Sequence, residues 1–372
     1  MIPSRMVVAV LSIAACATAT RSADLGANAT AKPAIRVLAQ YELSGSKSIA
    51  FDLRWAGAKS VFITTSYERV AEHGLSPGLP VVRELFPAPR VFDAQMVYGH
   101  LAVTSETMVV GAPTRKIAWR PLERRAGGTV DFLRDQLGAI GDLDLQGNRL
   151  AWIGWSKALF KGPDSNLSGY AWIDELGNGL DSPQQLITDV SGGRRGERAD
   201  PCLALRLGSL RFQPDGSLLI APGILDEIAL FDPAGHKFRS WDARYFGVES
   251  ASACTQIKAS TSQELDSSPL AVGEWINRQP VIDEALATPA GPAIVIRTMK
   301  SGLPTWRLHV LGADRVTSYD LPLSAQSPYT RLAGDVRGSQ LAVLLYDHSQ
   351  YPRRPSENPD RVVLLELPMP NR

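Results

Sequence analysis

Between Gly208 and Ala243 the chain compresses four short β-type runs into about 35 residues. Leu210 and Phe212 alternate, and Pro214-Asp215-Gly216 then reverses the chain. Leu218 to Ile220 form a wholly apolar run and Ile228 to Phe231 a second one. After Asp232-Pro233-Ala234-Gly235 a last amphipathic run covers Phe238 to Trp241. Proline at the second turn position and glycine at the fourth suit type I turns, so each reversal has a local cause. Four antiparallel strands in so short a span make one blade of a β-propeller.

The same stretch resembles an NHL-type blade, in which Pro-Asp-Gly and an apolar run are followed by Phe-Asp-x-x-Gly. Here these are Pro214-Asp215-Gly216, Leu218 to Ile220, and Phe231-Asp232 with Gly235. NHL blades build many six-bladed secreted propellers, so the resemblance implies that scaffold.

An alternating strand, a glycine-containing turn and an apolar run recur along the chain. They stand at Ile49 to Ile63, Phe92 to Val103, Ile140 to Gly154, within Gly208 to Ala243 itself, at Thr288 to Arg297 and at Leu332 to Tyr346. The turn glycines Gly57, Gly99, Gly147, Gly216, Gly291 and Gly338 are spaced by 42, 48, 69, 75 and 47 residues. The short spacings match blade periods of about 40 to 50 residues. The long ones imply insertions, or a seventh, degenerate blade as the alternative. Outer blade halves recur at Met108 to Trp119, Tyr170 to Ile187, Ile228 to Trp241 and Thr305 to Pro322. After Arg361 to Leu367 no fourth strand remains, and Ile35 to Leu43 at the other end can supply it, which would remove two exposed sheet edges. The expected fold is all-β: a single propeller of six four-stranded blades over 34–369, its last blade closed by the N-terminal strand. Helix is expected only as short turns within Thr261 to Arg278 and within 123–139.

Arg5 and the apolar stretch Met6 to Ala15 read as a signal peptide over 1–15, too short to span a bilayer as a mature helix. Ile13-Ala14-Ala15-Cys16 resembles a bacterial lipobox, which implies lipidation at Cys16, with 16–33 as a small, polar tether. Ala17 after the cysteine implies, by the same resemblance, transport to the outer membrane. Cleavage near Ala17-Thr18-Ala19, giving a soluble secreted protein, is the alternative. Of three cysteines, Cys202 and Cys254 remain, and in an oxidising compartment two leftover thiols are expected to pair. With a net charge of +1 and basic residues that do not pile onto one segment, a phosphate-tracking surface is not suggested, so no nucleic-acid partner is expected.

Loop position is the strongest pointer to a functional face. In a four-stranded blade the first-to-second and third-to-fourth connections share one face, and the remaining connections emerge on the other. The first set is short here. The second holds the long segments Thr64 to Pro80, Trp155 to Gly169, Thr188 to Leu207, Arg244 to Pro280 and Asp347 to Asp360. Long loops inside a compact domain carry function disproportionately. Candidate ligand-binding residues on that face are His73, Trp155, Arg194, Arg195, Tyr245, Trp275, His348, Tyr351 and Arg353, whose arginines and aromatics suit an anionic or sugar-like partner.

Catalytic signals are sparse. No two of the five histidines stand at metal-ligand spacing, and neither HExxH nor CxxC occurs. Asp52, Asp93, Asp142, Asp144, Asp283 and Asp335 fall on expected innermost strands, where they could bind a cation or join neighbouring blades. Six-bladed lactonases of the senescence-marker family hold a divalent metal near the channel with Glu, Asn and Asp. Resemblance at the scaffold level implies that chemistry as an alternative, with one cation such as calcium or zinc. The leading expectation is a monomeric, non-catalytic binding protein of the cell envelope without a cofactor, which meets the membrane only through its lipid.

Overall fold

The computed structural model describes residues 34–43, 50–65, 70–86, 99–111, 117–122, 131–134, 137–156, 170–176, 185–189, 208–221, 227–246, 280–347 and 359–368. Among them, twenty-four strands form six four-stranded antiparallel sheets. The first blade joins β2 (Ala50–Gly57), β3 (Ser60–Thr65), β4 (Val70–Gly74) and β5 (Val81–Phe86). The second joins β6 (His100–Val103), β7 (Thr107–Gly111), β8 (Ile117–Pro121) and β9 (Asp131–Arg134). The third joins β10 (Leu137–Gln146), β11 (Arg149–Ser156), β12 (Tyr170–Glu175) and β13 (Gln185–Asp189). The fourth joins β14 (Ser209–Phe212), β15 (Leu218–Ala221), β16 (Glu227–Phe231) and β17 (Lys237–Asp242). The fifth joins β18 (Val281–Thr288), β19 (Gly291–Lys300), β20 (Leu303–Leu311) and β21 (Val316–Asp320). In the sixth, β22 (Thr330–Arg337), β23 (Gln340–Asp347) and β24 (Arg361–Glu366) are completed by β1 (Arg36–Glu42).

Each innermost strand packs beside the next, from β2 through β6, β10, β14 and β18 to β22, which returns to β2. The ring therefore closes at six blades and leaves no place for a seventh. Closure uses the N-terminal strand as expected: β1 pairs antiparallel with β24, from Arg36 opposite Glu366 to Glu42 opposite Arg361.

Second strands lie between two sheets and have both faces covered, which is why they read as continuous apolar runs. Leu218 to Ala221 and Leu341 to Leu345 are buried throughout. Cores form between adjacent blades. Phe62, Val70 and Leu85 of the first pack on Leu101, Met108 and Val110 of the second. The Pro-Asp-Gly turn behaves as its chemistry dictates: the Gly216 amide donates to the Gln213 carbonyl at 2.9 Å, and Gly216 takes φ +85°.

Three expectations are corrected. Gly99 is not a hairpin turn: His100–Val103 is the innermost strand of the second blade, and its hairpin lies at 104–106. Thr64 to Pro80 is not a loop, because it contains β4, whose Val70, Ala71 and His73 are buried. The segment 123–139 holds no helix among its described residues, since β9 supplies the outer strand of its blade and β10 begins at Leu137. Thr261 to Arg278 lies outside the described residues. The only helical element among the described residues is a 3-10 turn, Ala243–Phe246.

Candidate functional site

The innermost strands all run the same way, and the starts of these strands surround a recess at one mouth of the central channel. It is lined by Phe51 and Asp52, His100, Gly141 and Asp142, Ser209, Asp283 and Glu284, and Ala333, with Tyr346 behind. Strand order puts the blade-to-blade and second-to-third connections on this same side, and the longest segments between strands, including 157–169, 190–208 and 348–360, belong to that set. The recess has a cavity volume of about 50 Å³, room for an ion or a few waters.

Backbone bulges build this mouth. Register shifts between Ala50 and Asp52, Ile140 and Asp142, and Ile282 and Glu284 mark bulges in the first, third and fifth blades. A bulge re-aims the side chain beside it. In each of these blades it sits immediately before a carboxylate, so that Phe51-Asp52, Gly141-Asp142 and Asp283-Glu284 all reach the recess. The intervening blades present His100, Ser209 and Ala333 at the corresponding level.

Two residues further along the strands lie Arg54, Asp144, Arg211 and Asp335, in accordance with strand periodicity. Arg54 Nη1 donates to Asp52 Oδ1 at 2.7 Å, and Nη2 lies 3.6 Å from Asp142 Oδ1. Arg211 Nη2 donates to Glu284 Oε1 at 2.9 Å, while Nη1 stands 3.4 Å from Asp144 and 3.6 Å from Asp335. Among the described residues, two guanidiniums thus face five carboxylates in the channel.

Most of these acids also join blades. Asp52 Oδ2 accepts the Leu101 amide at 2.7 Å, Asp142 Oδ2 the Leu210 amide at 2.9 Å, and Asp144 Oδ2 the Phe212 amide at 2.7 Å. Glu284 Oε2 accepts the Gly334 amide at 3.0 Å, and Asp335 Oδ2 the Trp55 amide at 3.0 Å. From the fourth blade, Ser209 Oγ donates to Asp142 at 2.5 Å and accepts the Ala285 amide at 2.9 Å. Asp283 accepts the Leu332 amide of the sixth blade and also binds Arg297 Nε at 3.1 Å and Trp306 Nε1 at 2.7 Å. Of the two roles expected for the acids, the geometry thus displays the joining of blades.

Burial raises the carboxyls of Asp52 and Asp144 above their ordinary range, against the pull of the neighbouring guanidiniums. Burial likewise pushes Glu284 up, to about 8, despite Arg54 and Arg211. Burial opposes the charge on Arg211, but the carboxylates of Asp144, Glu284 and Asp335 outweigh it and hold the guanidinium above its usual value. A proton on Glu284 at neutral pH reduces the excess of negative charge.

As for a metal, one ligand atom each from Asp52, His100 and Asp142 lies within 4.8 Å of the others. Two carboxylate oxygens and an imidazole nitrogen form a chemically suitable donor set for a divalent ion. His100 went unnoticed in the sequence because Gly99 imitated a hairpin turn. Its signal is a polar residue before a buried leucine, repeated as Asp52-Leu53, His100-Leu101, Asp142-Leu143 and Ser209-Leu210.

Among the described residues, the other sequence candidates stand apart from the lining of this recess. His73 is corrected from a loop-face residue to a buried one: β4 holds it, and Nδ1 donates to the Leu79 carbonyl at 2.8 Å. Tyr245 is 50% exposed on the 3-10 turn and does not line the recess. Trp155 sits on β11 opposite Ala139. Cys16, Asp93, Arg194, Arg195, Cys202, Cys254, Trp275, His348, Tyr351 and Arg353 lie outside the described residues.

No protein-family model and no curated protein matches the chain. Among solved structures, the PQQ-bound aldose sugar dehydrogenase from Streptomyces coelicolor is similar at a TM-score of 0.51 and 9% identity, over 90% of this chain and 98% of that one. The WD40 propeller domain of Doa1 matches at a TM-score of 0.45 and 14% identity, over 88% and 96%. A chain of the mitotic checkpoint complex matches at 0.46 and 10%, over 87% and 79%. At such identities the likeness speaks for the fold alone: the chain is a β-propeller.

Proposed function

We propose that this chain is a non-catalytic binding propeller of the cell envelope, of NHL-like type, which engages an envelope protein or a small ligand on the face carrying its longer connections. The observation that carries this reading is the use of the innermost acids. Asp52, Asp142, Asp144, Glu284 and Asp335 accept amides of neighbouring blades, so they serve a rigid scaffold whose long connections emerge around the mouth. The lipobox-like run ending in Cys16 supports tethering of a monomer at a membrane surface.

The closeness of Asp52, His100 and Asp142 favours one second reading, a metal-dependent hydrolase of the lactonase type. A single screen separates the two. Purified protein, with and without added divalent metal, is assayed for lactone and ester turnover and for thermal stabilisation by small ligands. Stabilisation without turnover, reduced by Phe51→Ala at the mouth, supports binding. Metal-dependent turnover abolished by Asp142→Asn would replace it with the hydrolase.

A further inference from the structure

We propose that the channel mouth is a site for one divalent cation, ligated by Asp52, His100 and Asp142, and that Arg54 is the resident cation with which a metal ion competes. This concerns the mouth alone and holds whether or not the loop face binds a partner.

The three ligands come from consecutive blades and converge to within 4.8 Å of one another. Among the described residues, each carboxylate keeps an oxygen engaged by one hydrogen bond: Asp52 Oδ2 accepts the Leu101 amide and Asp142 Oδ1 the Leu143 amide. His100 Nδ1 stands 3.9 Å from Asp142 Oδ1, beyond hydrogen-bond reach, with its side chain 28% exposed toward the mouth. An imidazole nitrogen and two carboxylate oxygens suit zinc or manganese, and the exposed side leaves coordination positions for water.

Arg54 supplies the independent observation. Its side chain is only 3% exposed and reaches up between the two aspartates. Nη1 is well bonded, to Asp52 Oδ1 at 2.7 Å and the Leu53 carbonyl at 2.9 Å. Nη2 and Nε are buried without any hydrogen-bond acceptor, and Nη2 is aimed at Asp142 from 3.6 Å. Buried donors without acceptors are costly. The guanidinium is therefore held by its charge more than by its fit, in a place that demands a cation. A compact divalent ion brings twice the charge to the same two carboxylates and recruits the imidazole, which a guanidinium cannot do. Asp335 on the adjacent β22 and Asp144 on β10 lie at the level of Arg54, so a displaced side chain still faces carboxylates.

Manganese titration of the wild-type protein tests this first, read by paramagnetic broadening of the five histidine ring signals. Selective broadening of the His100 resonance at millimolar manganese is expected, with zinc reversing it. Uniform broadening, or none at His100, overturns the proposal. The second arm is Arg54→Met, with Arg54→Lys as the charge-retaining control. Removing a unit charge that stands 2.7 Å from Asp52 and 3.6 Å from Asp142 should tighten zinc binding roughly a hundredfold in the methionine variant only. His100→Ala in the Arg54→Met background should return affinity to the wild-type level. If Arg54→Met folds only with zinc present, that rescue supports the site. Failure to bind or be rescued by zinc, or equal affinity in wild type and Arg54→Met, refutes it.

Discussion

Asp335 and Trp55 are bonded twice across the seam where the last innermost strand meets the first. Asp335 Oδ2 accepts the Trp55 amide at 3.0 Å, and the Trp55 indole Nε1 donates to the Asp335 carbonyl at 3.0 Å. This pair ties β22 to β2, so the ring is secured at its inner rim as well as by β1 at its outer one.

Asp335→Ala removes an acceptor and leaves the Trp55 amide unpaired. Chemical unfolding followed by tryptophan fluorescence should show a loss of about 1–3 kcal/mol. Asp335→Asn retains an acceptor oxygen and should lose less than half as much. Equal losses would mean that charge rather than the amide bond holds the seam.

Glu284 gives stability a slope on the alkaline side. Its folded value of about 8 exceeds the 4.5 of an ordinary glutamate, so the folded chain binds more protons between these values. The contribution is fully present below about 4.5 and lost as pH rises through 8. Glu284→Gln keeps the side chain's shape without its titration. The fall in urea midpoint between pH 5 and pH 8 should be clearly smaller in the variant than in wild type.

His309 acts with the opposite sign. Burial lowers it from 6.5 to about 4; Ser318 Oγ lies 2.9 Å from Nδ1, and Phe246 meets the ring edge-on at 5.2 Å. The unfolded chain then binds the extra proton, so this contribution is present above 6.5 and lost as pH falls toward 4. His309→Gln should flatten the acid limb of the stability profile and leave the alkaline limb unchanged. A thermal melt series from pH 4 to pH 8 reads both limbs at once.

Deleting 34–43 exposes the edge of β24 and uncovers the pockets of Ile35 and Leu43, both buried in interblade cores. An unpaired apolar edge recruits another chain. Light scattering should find larger species in the truncated chain than in the untruncated one; a truncated chain of unchanged size and stability would show that β1 is dispensable.

The fold was legible where its causes are local. Proline and glycine fix the reversals at Pro214-Asp215-Gly216, and the positive φ of Gly147, Gly291 and Gly338 explains why those turns announce themselves. Closure by β1 could be inferred because Arg361 to Leu367 left a blade one strand short. The site was less legible. Asp52, Asp142, Asp144 and Asp335 were visible as acids on innermost strands. The bulges at Phe51, Gly141 and Asp283 were not, because a bulge is decided by the register of the partner strand. His100 was hidden by the turn-like Gly99, and His73 by a strand, Val70–Gly74, too short to display alternation. Arg54 and Arg211 drew no notice in the sequence because their importance lies in facing carboxylates of other blades.

Arg36 and Glu366 are side-chain partners 330 residues apart. Protein synthesis proceeds from the N-terminus, so the strand that completes the circle leaves the ribosome first and waits longest for its mate. Five blades can form before residue 361 exists, and throughout that interval β1 lacks the strand it pairs with. Closure of the ring is therefore the meeting of the first-made and last-made strands of the propeller. A product terminated before Arg361 is an arc with two sticky ends, open to association with its own kind or to proteolysis.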